Sequence, residues 1–204
     1  MIARLVGSEM CIRDRLLRDK AGSISIMDIY TGEIIAMNSS PSFDPNLFLY
    51  GIDNNLWSQI QKDPLKPLVN KTLSGLYSPG STIKPIVALS ALENDVIRAN
   101  MRVECKGKVE MYDQKYHCWK KEGHGFMSLK NAIKQSCDIY FYELARLLGV
   151  DRLNLTAEKF GLGKQVLGQY FLNEKKGIVP STKWKKENLG QNWYLGETFI
   201  TGIG

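Results

Sequence analysis

This sequence has no apolar run long enough to cross a bilayer, for which about 20 residues are needed, and its start lacks the charged, apolar and small-residue succession of a secretory signal. Nor does it contain an internal repeat or a low-complexity tract, which excludes solenoids and extended disordered tails. Charge of neither sign dominates: 27 Lys and Arg face 21 Asp and Glu, a net +6. The basic residues form no arginine cluster, aromatic-interleaved basic run or helix-turn-helix pattern, so no nucleic-acid partner is expected. A mildly basic surface suits an anionic environment, and the densest basic run, Lys183 to Lys186 (KWKK), reads as a solvated surface loop. What the 204 residues do have is 44% hydrophobic and 24% charged side chains, enough to close a substantial globular core.

The most informative stretch is Tyr77–Pro85 (YSPGSTIKP). Pro79-Gly80 signals a turn, and the apolar-rich run from Ile83 to Leu92 has helical character, which places Ser81 at a helix start. Pro85 fits only a first turn, where its missing N–H costs nothing. Residues three apart in such a turn share a face, so the Lys84 amine comes within reach of the Ser81 hydroxyl. A serine becomes a strong nucleophile when a neighbouring base takes its proton, and the positive end of a helix favours the developing alkoxide. An N-capping serine with a solvated lysine would give the same four letters, so S-x-x-K needs a second motif.

That motif is Ser136-Cys137-Asp138, inside Leu129–Glu143 (LKNAIKQSCDIYFYE). Together with Ser81-x-x-Lys84 it resembles the first two signatures of the penicillin-binding proteins and serine β-lactamases, S-x-x-K followed by S-x-N or S-x-D. Asp28–Met37 (DIYTGEIIAM), Pro41–Asn46 (PSFDPN), Tyr77–Pro85 and Gly196–Gly204 (GETFITGIG) narrow the resemblance to the transpeptidase domain of class B penicillin-binding proteins. The elongation type, penicillin-binding protein 2, is the nearest in wording, and the likeness covers roughly residues 20 to 204.

The resemblance implies an α/β (α+β) transpeptidase fold, an antiparallel sheet with a helical subdomain. It implies a D,D-transpeptidase that cross-links peptidoglycan through a serine acyl-enzyme on D-Ala-D-Ala stem peptides and is trapped by β-lactams. Ser81 is then the nucleophile, Lys84 its base, Ser136 a proton relay to the leaving amine, and Asp138 the residue that orients the loop. The Ser81 N–H supplies half of an oxyanion hole. The family's third motif, K-T-G, does not occur, since Lys71-Thr72-Leu73 precedes the nucleophile and lacks the glycine. The chain is therefore expected to be a truncated domain, 16–204, with an incomplete sheet and little activity alone. Residues 1–15 match nothing in the family and resemble translated adapter sequence, a non-native leader that takes Cys11 out of the reasoning. The expected location is the periplasmic face of the inner membrane, with a membrane glycosyltransferase of the elongation complex as partner. A serine β-lactamase or β-lactam sensor remains a rival, as does a non-catalytic, metal-stapled wall-binding module.

Cys105, Cys118, His124 and Cys137 follow one another at intervals of thirteen, six and thirteen residues. Three thiolates and an imidazole make a closed tetrahedral set suited to a structural zinc, although the spacing is no standard finger. The placement of Cys137 inside S-x-D would tie the excursion at 100–137 to the catalytic loop, and the resemblance implies a metal site here. A Cys105–Cys118 disulfide and unliganded buried thiols are the alternatives. His117 would point away from Cys118 in an extended segment, which favours His124.

Elsewhere, Gly22 to Met37 alternates as a β-hairpin around Tyr30-Thr-Gly-Glu33. Residues 38–70, with four prolines, read as irregular and pinned by Phe43, Phe48 and Trp57. Residues 100–126 read as loop. Ser128 caps a short helix to Gln135, a second runs from about Asp138 to Leu148 before Gly149, and Asp151 caps a third that ends near Phe160.

Overall fold

The computed structural model describes residues 16–17, 20–98, 100–111 and 113–204. The leader at 1–15, with Cys11, lies outside the described residues. The rest forms two compact units: residues up to Leu76 with Leu167–Lys175, and Tyr77–Val166 with Lys176–Gly204.

The first unit is built on an antiparallel hairpin of β1 (Gly22–Met27) and β2 (Ile34–Ser40), in register from Gly22 opposite Ser40 to Met27 opposite Ile34. The Asp28 carboxylate closes the turn by accepting from the N–H groups of Tyr30 and Thr31 at 2.8 Å each. The stretch read as irregular contains a helix, α1 (Asn54–Lys62). Asp53 caps it by accepting from Asn55 N–H and Leu56 N–H, a signal hidden in the sequence among the neighbouring prolines. Phe43, Phe48 and Trp57 do pack together, edge to face, with centroids 5.6 and 6.0 Å apart. A single turn, α2 (Lys71–Ser74), capped by Asn70, is tied to the returning segment by Ser74 Oγ donating to Asn173 O at 2.7 Å.

The second unit carries every candidate site residue. A 3₁₀ turn, Gly80–Ile83, runs straight into α3 (Lys84–Glu93), with Pro85 in its first turn as its missing N–H requires. The excursion read as loop is a pair of nested antiparallel ladders. β3 (Arg102–Cys105) pairs with β6 (Gly125–Ser128), and between them β4 (Lys108–Met111) pairs with β5 (Gln114–His117). Four-residue strands rich in Lys and Glu are too short to display a period of two, which is why the sequence hid them.

Five helices follow: α4 (Leu129–Lys134), α5 (Asp138–Leu148), α6 (Val150–Lys159), α7 (Thr182–Leu189) and α8 (Leu195–Ile203). Ser128 caps α4 as expected, accepting from Asn131 N–H. Asp151 is no cap: it sits in the first turn of α6 and accepts from the N–H and hydroxyl of Thr182. The basic run at 183–186 is helical rather than looped, and Lys185 is buried, because its ammonium pairs with Glu197 and lies over the rings of Trp193 and Tyr194. Among the described residues the strands make three two-stranded antiparallel sheets beside the helices, a mixed α and β architecture.

The core forms around α5, where Ile139, Tyr140, Phe141, Tyr142, Leu144, Ala145 and Leu148 are all buried. A helix apolar on nearly every side must be enclosed, and α3, α6 and α8 enclose it. The α8 contact is tight enough to need glycine, since a Cβ on Gly202 would stand 2.5 Å from Ala145 Cβ. Phe199 of α8 stacks on Tyr142 at 5.4 Å and meets Tyr116 edge-on at 4.9 Å, fastening the inner ladder to the helices.

Candidate active site

The turn at Pro79-Gly80 leaves the Ser81 side chain exposed while Ile83, two residues on, is buried as its anchor. Thr82 Oγ donates back to Pro79 O at 2.6 Å, and Gly80 N–H donates to Gly204 O at 3.2 Å, so the turn is held from two sides. One residue after Ile83, Lys84 points inward with 2% of its surface exposed. Its ammonium lies 5.5 Å from the Phe141 ring centre.

The ammonium makes three hydrogen bonds: to Ser136 Oγ at 2.9 Å, to Ser136 O at 3.0 Å and to Asp138 Oδ1 at 2.6 Å. A lysine ammonium has three N–H donors, so these account for its full capacity. The Ser81 hydroxyl therefore finds another partner, accepting from Ser136 Oγ at 2.9 Å. The direct Lys84–Ser81 contact read from the i,i+3 spacing is replaced by a bridge, and the order in space is Ser81, Ser136, Lys84, Asp138.

Two features build the Ser136 side. The residue falls between α4 and α5 in the left-handed region, φ 51°, which costs a non-glycine residue about 1–3 kcal/mol and persists only because neighbouring bonds hold it there. Its carbonyl accepts from Lys84 and from the Trp119 indole N–H, the latter at 3.1 Å. The same indole N–H also reaches Gln135 O at 3.0 Å, and the Trp119 backbone N–H donates to Asp138 Oδ2 at 2.9 Å. Asp138 thus divides its oxygens between Lys84 and Trp119. The sequence reading missed Trp119, whose one signal was its place next to Cys118.

The thiol cluster lies directly behind this turn. Cys105 ends β3, Cys118 follows β5, His124 precedes β6 and Cys137 caps α5. Their ligand atoms lie within 4.8 Å of one another, and His124 Nδ1 is 3.5 Å from both Cys105 Sγ and Cys118 Sγ. Backbone bonds set these positions: His124 N–H donates to Cys105 O at 3.0 Å and Cys118 N–H to Gly107 O at 2.8 Å. Gly123 is required between them, since it has φ 83° and a Cβ there would stand 2.2 Å from Cys105 O.

The three cysteines are free thiols, and His117 is exposed away from them. Burial, with the adjacent thiols, pushes Cys137 up to about 12. Burial and the charge of Lys120 hold His124 below the usual imidazole range, which favours the neutral ring a metal ligand needs. Three buried soft sulfur donors and a partly buried imidazole form a set that a tetrahedral zinc fits.

Residues 22–204 match the penicillin-binding protein transpeptidase domain. The peptidoglycan D,D-transpeptidase MrdA of Escherichia coli K12 is 37% identical over 94% of the chain. The chain spans only 30% of that relative's length. Among solved structures, Pseudomonas aeruginosa PBP2 in complex with WCK 5153 superposes with a TM-score of 0.87 at 42% identity, covering 94% of this chain and 42% of that one. PBP2 of Helicobacter pylori in complex with MreC gives 0.86 at 36% identity, covering 94% and 36%.

Proposed function

The chain belongs to the penicillin-binding protein transpeptidase domain family, and from that membership we propose that it carries the acyl-transfer residues of a peptidoglycan D,D-transpeptidase of the elongation type. The observation that carries the reading is the unbroken hydrogen-bonded line from the exposed Ser81 hydroxyl through Ser136 to the buried Lys84 amine.

In the first half-reaction, Ser81 Oγ attacks the carbonyl of the penultimate D-alanine of a stem peptide. Once the Lys84 ammonium seen beside Asp138 has given up one proton, the Ser81 proton passes to Ser136 as the Ser136 proton passes to the freed Lys84 amine. The tetrahedral oxyanion faces the Ser81 N–H at the start of the 3₁₀ turn; a second donor would come from a K-T-G strand, a motif these residues do not contain. Collapse expels the terminal D-alanine, whose amine takes the proton back from Lys84 through Ser136. An amine from a neighbouring peptide then attacks the ester, gives up its proton along the same line, and frees Ser81. β-Lactams acylate the same oxygen. These residues alone, without the second oxyanion donor, would cross-link poorly.

Asp138 keeps Lys84 oriented by accepting its third N–H at 2.6 Å. A structural zinc would be held by Cys105, Cys118, His124 and Cys137 and would supply a rigid link between the two ladders and the start of α5 rather than chemistry on substrate. The relatives' names, a peptidoglycan D,D-transpeptidase and a PBP2 in complex with MreC, support a wall-synthesis setting with an MreC-like partner; a periplasmic position and a membrane glycosyltransferase partner belong to the same proposal. Among the described residues no helix is long and apolar enough to cross a membrane.

The test is the intact mass of the full-length protein after exposure to a fluorescent penicillin. A single adduct lost in Ser81→Ala is expected. A folded wild-type protein that gains no mass would overturn the acyl-transfer reading.

A further inference from the structure

Trp119 is an exposed tryptophan with its polar edge turned inward. The residue is 64% exposed, so it contributes little apolar burial, yet its indole N–H is shared between Gln135 O and Ser136 O at 3.0 and 3.1 Å. These carbonyls flank the strained Ser136, whose left-handed backbone aims Oγ at both Ser81 and Lys84. The Trp119 backbone N–H holds the far end of the same turn through Asp138 Oδ2. The ring meets His124 edge-on, with centroids 5.3 Å apart, and its neighbour Cys118 is fixed by the Gly107 carbonyl. Trp119 is therefore anchored on the rigid side and clamps the strained side.

Resting on the acyl-transfer reading, we propose that Trp119 is a positioning residue for acylation, keeping the Ser136 turn in the one conformation that bridges nucleophile and base. With the indole donor gone, Lys84 is the remaining side-chain donor to the Ser136 carbonyl, and Lys84 itself must move a proton during the reaction. The turn would then relax from its left-handed conformation in part of the molecules, and each such molecule loses the bridge. Binding of a β-lactam before bond formation does not depend on that bridge, so the effect falls on the acylation step and leaves affinity alone.

The test replaces Trp119 in the full-length protein with β-(3-benzothienyl)alanine, which keeps the bicyclic ring but has sulfur in place of the N–H, and separately makes Trp119→Phe. Both leave the backbone bond to Asp138 intact. Rapid-mixing kinetics with a chromogenic β-lactam give the dissociation constant and the acylation rate constant, and thermal unfolding monitors the fold. The expected result is a fall of about tenfold or more in the acylation rate constant for both variants, with the dissociation constant and Tm unchanged. Wild-type acylation in both variants would overturn the role of Trp119, as would a loss of rate that tracks a loss of Tm. Absence of any Ser81 adduct in the wild-type protein would overturn the acyl-transfer reading itself.

Discussion

The Lys84 ammonium lies 2.6 Å from the Asp138 carboxylate, with 2% of the lysine side chain exposed and 14% of the aspartate. Removing one partner of such a pair strands the other charge in a dry environment, which costs about 3–5 kcal/mol. Asp138→Ala is therefore expected to lower unfolding stability by about 3 kcal/mol in a denaturant titration. Asp138→Asn keeps an acceptor for Lys84 but turns an amide donor towards the Trp119 N–H, and should cost less, about 1–2 kcal/mol. Equal stability of Asp138→Ala and wild type would show that Lys84 is solvated rather than paired.

Ser136→Ala removes the atom that lies 2.9 Å from both Ser81 Oγ and Lys84 Nζ. The Ser136 carbonyl bond to Lys84 survives, so the fold should persist while proton transfer fails. Acylation by a penicillin is expected to slow by about 10²–10³. Acylation within about twofold of wild type would mean that Lys84 reaches Ser81 directly, contrary to the geometry.

How much of this was legible beforehand depends on the range over which each signal acts. Two short motifs, through the family they resemble, pointed to Ser81, Lys84, Ser136 and Asp138 as candidates, and the structure brings the four side chains into one hydrogen-bonded line. The Cys105, Cys118, His124 and Cys137 set was visible because sulfur and imidazole are few in this sequence. That Ser136 stands between Ser81 and Lys84 was not visible, because it depends on where Lys84 spends its three donors across 52 positions of sequence. The nested ladders hid in strands of four residues, and buried Lys185 hid because its carboxylate partner is twelve positions away on another helix.

That Lys185–Glu197 pair gives a pH prediction. Burial alone would raise the Glu197 carboxyl, but the Lys185 ammonium and the Tyr194 N–H outweigh it and hold it below the ordinary carboxylate range. A lowered folded-state pKa stabilises fully above the unfolded-state value of ~4.3 and is lost as pH falls through the folded one. Glu197 is over a third exposed, so solvent screening limits the effect to about 1 kcal/mol or less. Glu197→Gln should lower Tm at pH 7 and leave it nearly unchanged at pH 3. A Tm loss of equal size at both pH values would assign the effect to packing instead.

The close approach of α8 to α5 can be tested without touching the site residues. A methyl on Gly202 would meet Ala145 Cβ at 2.5 Å and Phe141 O at 3.0 Å, so the helices must separate to admit it. Gly202→Ala gains helix propensity, worth about 1 kcal/mol, but overpacking costs about 1–3 kcal/mol and should dominate. Net destabilisation in thermal unfolding is expected. A more stable Gly202→Ala protein would show that the two helices have room to spare.

Metal removal is the prediction in which structure and chemistry are most tightly joined, because Cys137 stands between Ser136 and Asp138, both hydrogen-bonded to Lys84. A ligand placed there cannot move without moving both neighbours. Burial pushes the Cys137 thiol up to about 12, and zinc would have to displace its proton to take the thiolate as a ligand at the start of α5. Native mass spectrometry of the full-length protein is expected to find one zinc ion per chain. A strong chelator should then lower Tm by at least about 5 °C and slow acylation at Ser81, with both recovering when zinc is returned. Cys105→Ser and His124→Ala should reproduce the chelated state and become insensitive to chelator. A protein without zinc that is indifferent to chelator but loses stability on reduction would replace the metal by a Cys105–Cys118 disulfide. Indifference to both treatments would leave the cluster as buried thiols, and the rigidity of the Ser136 turn would then rest on Trp119 and Lys84 alone.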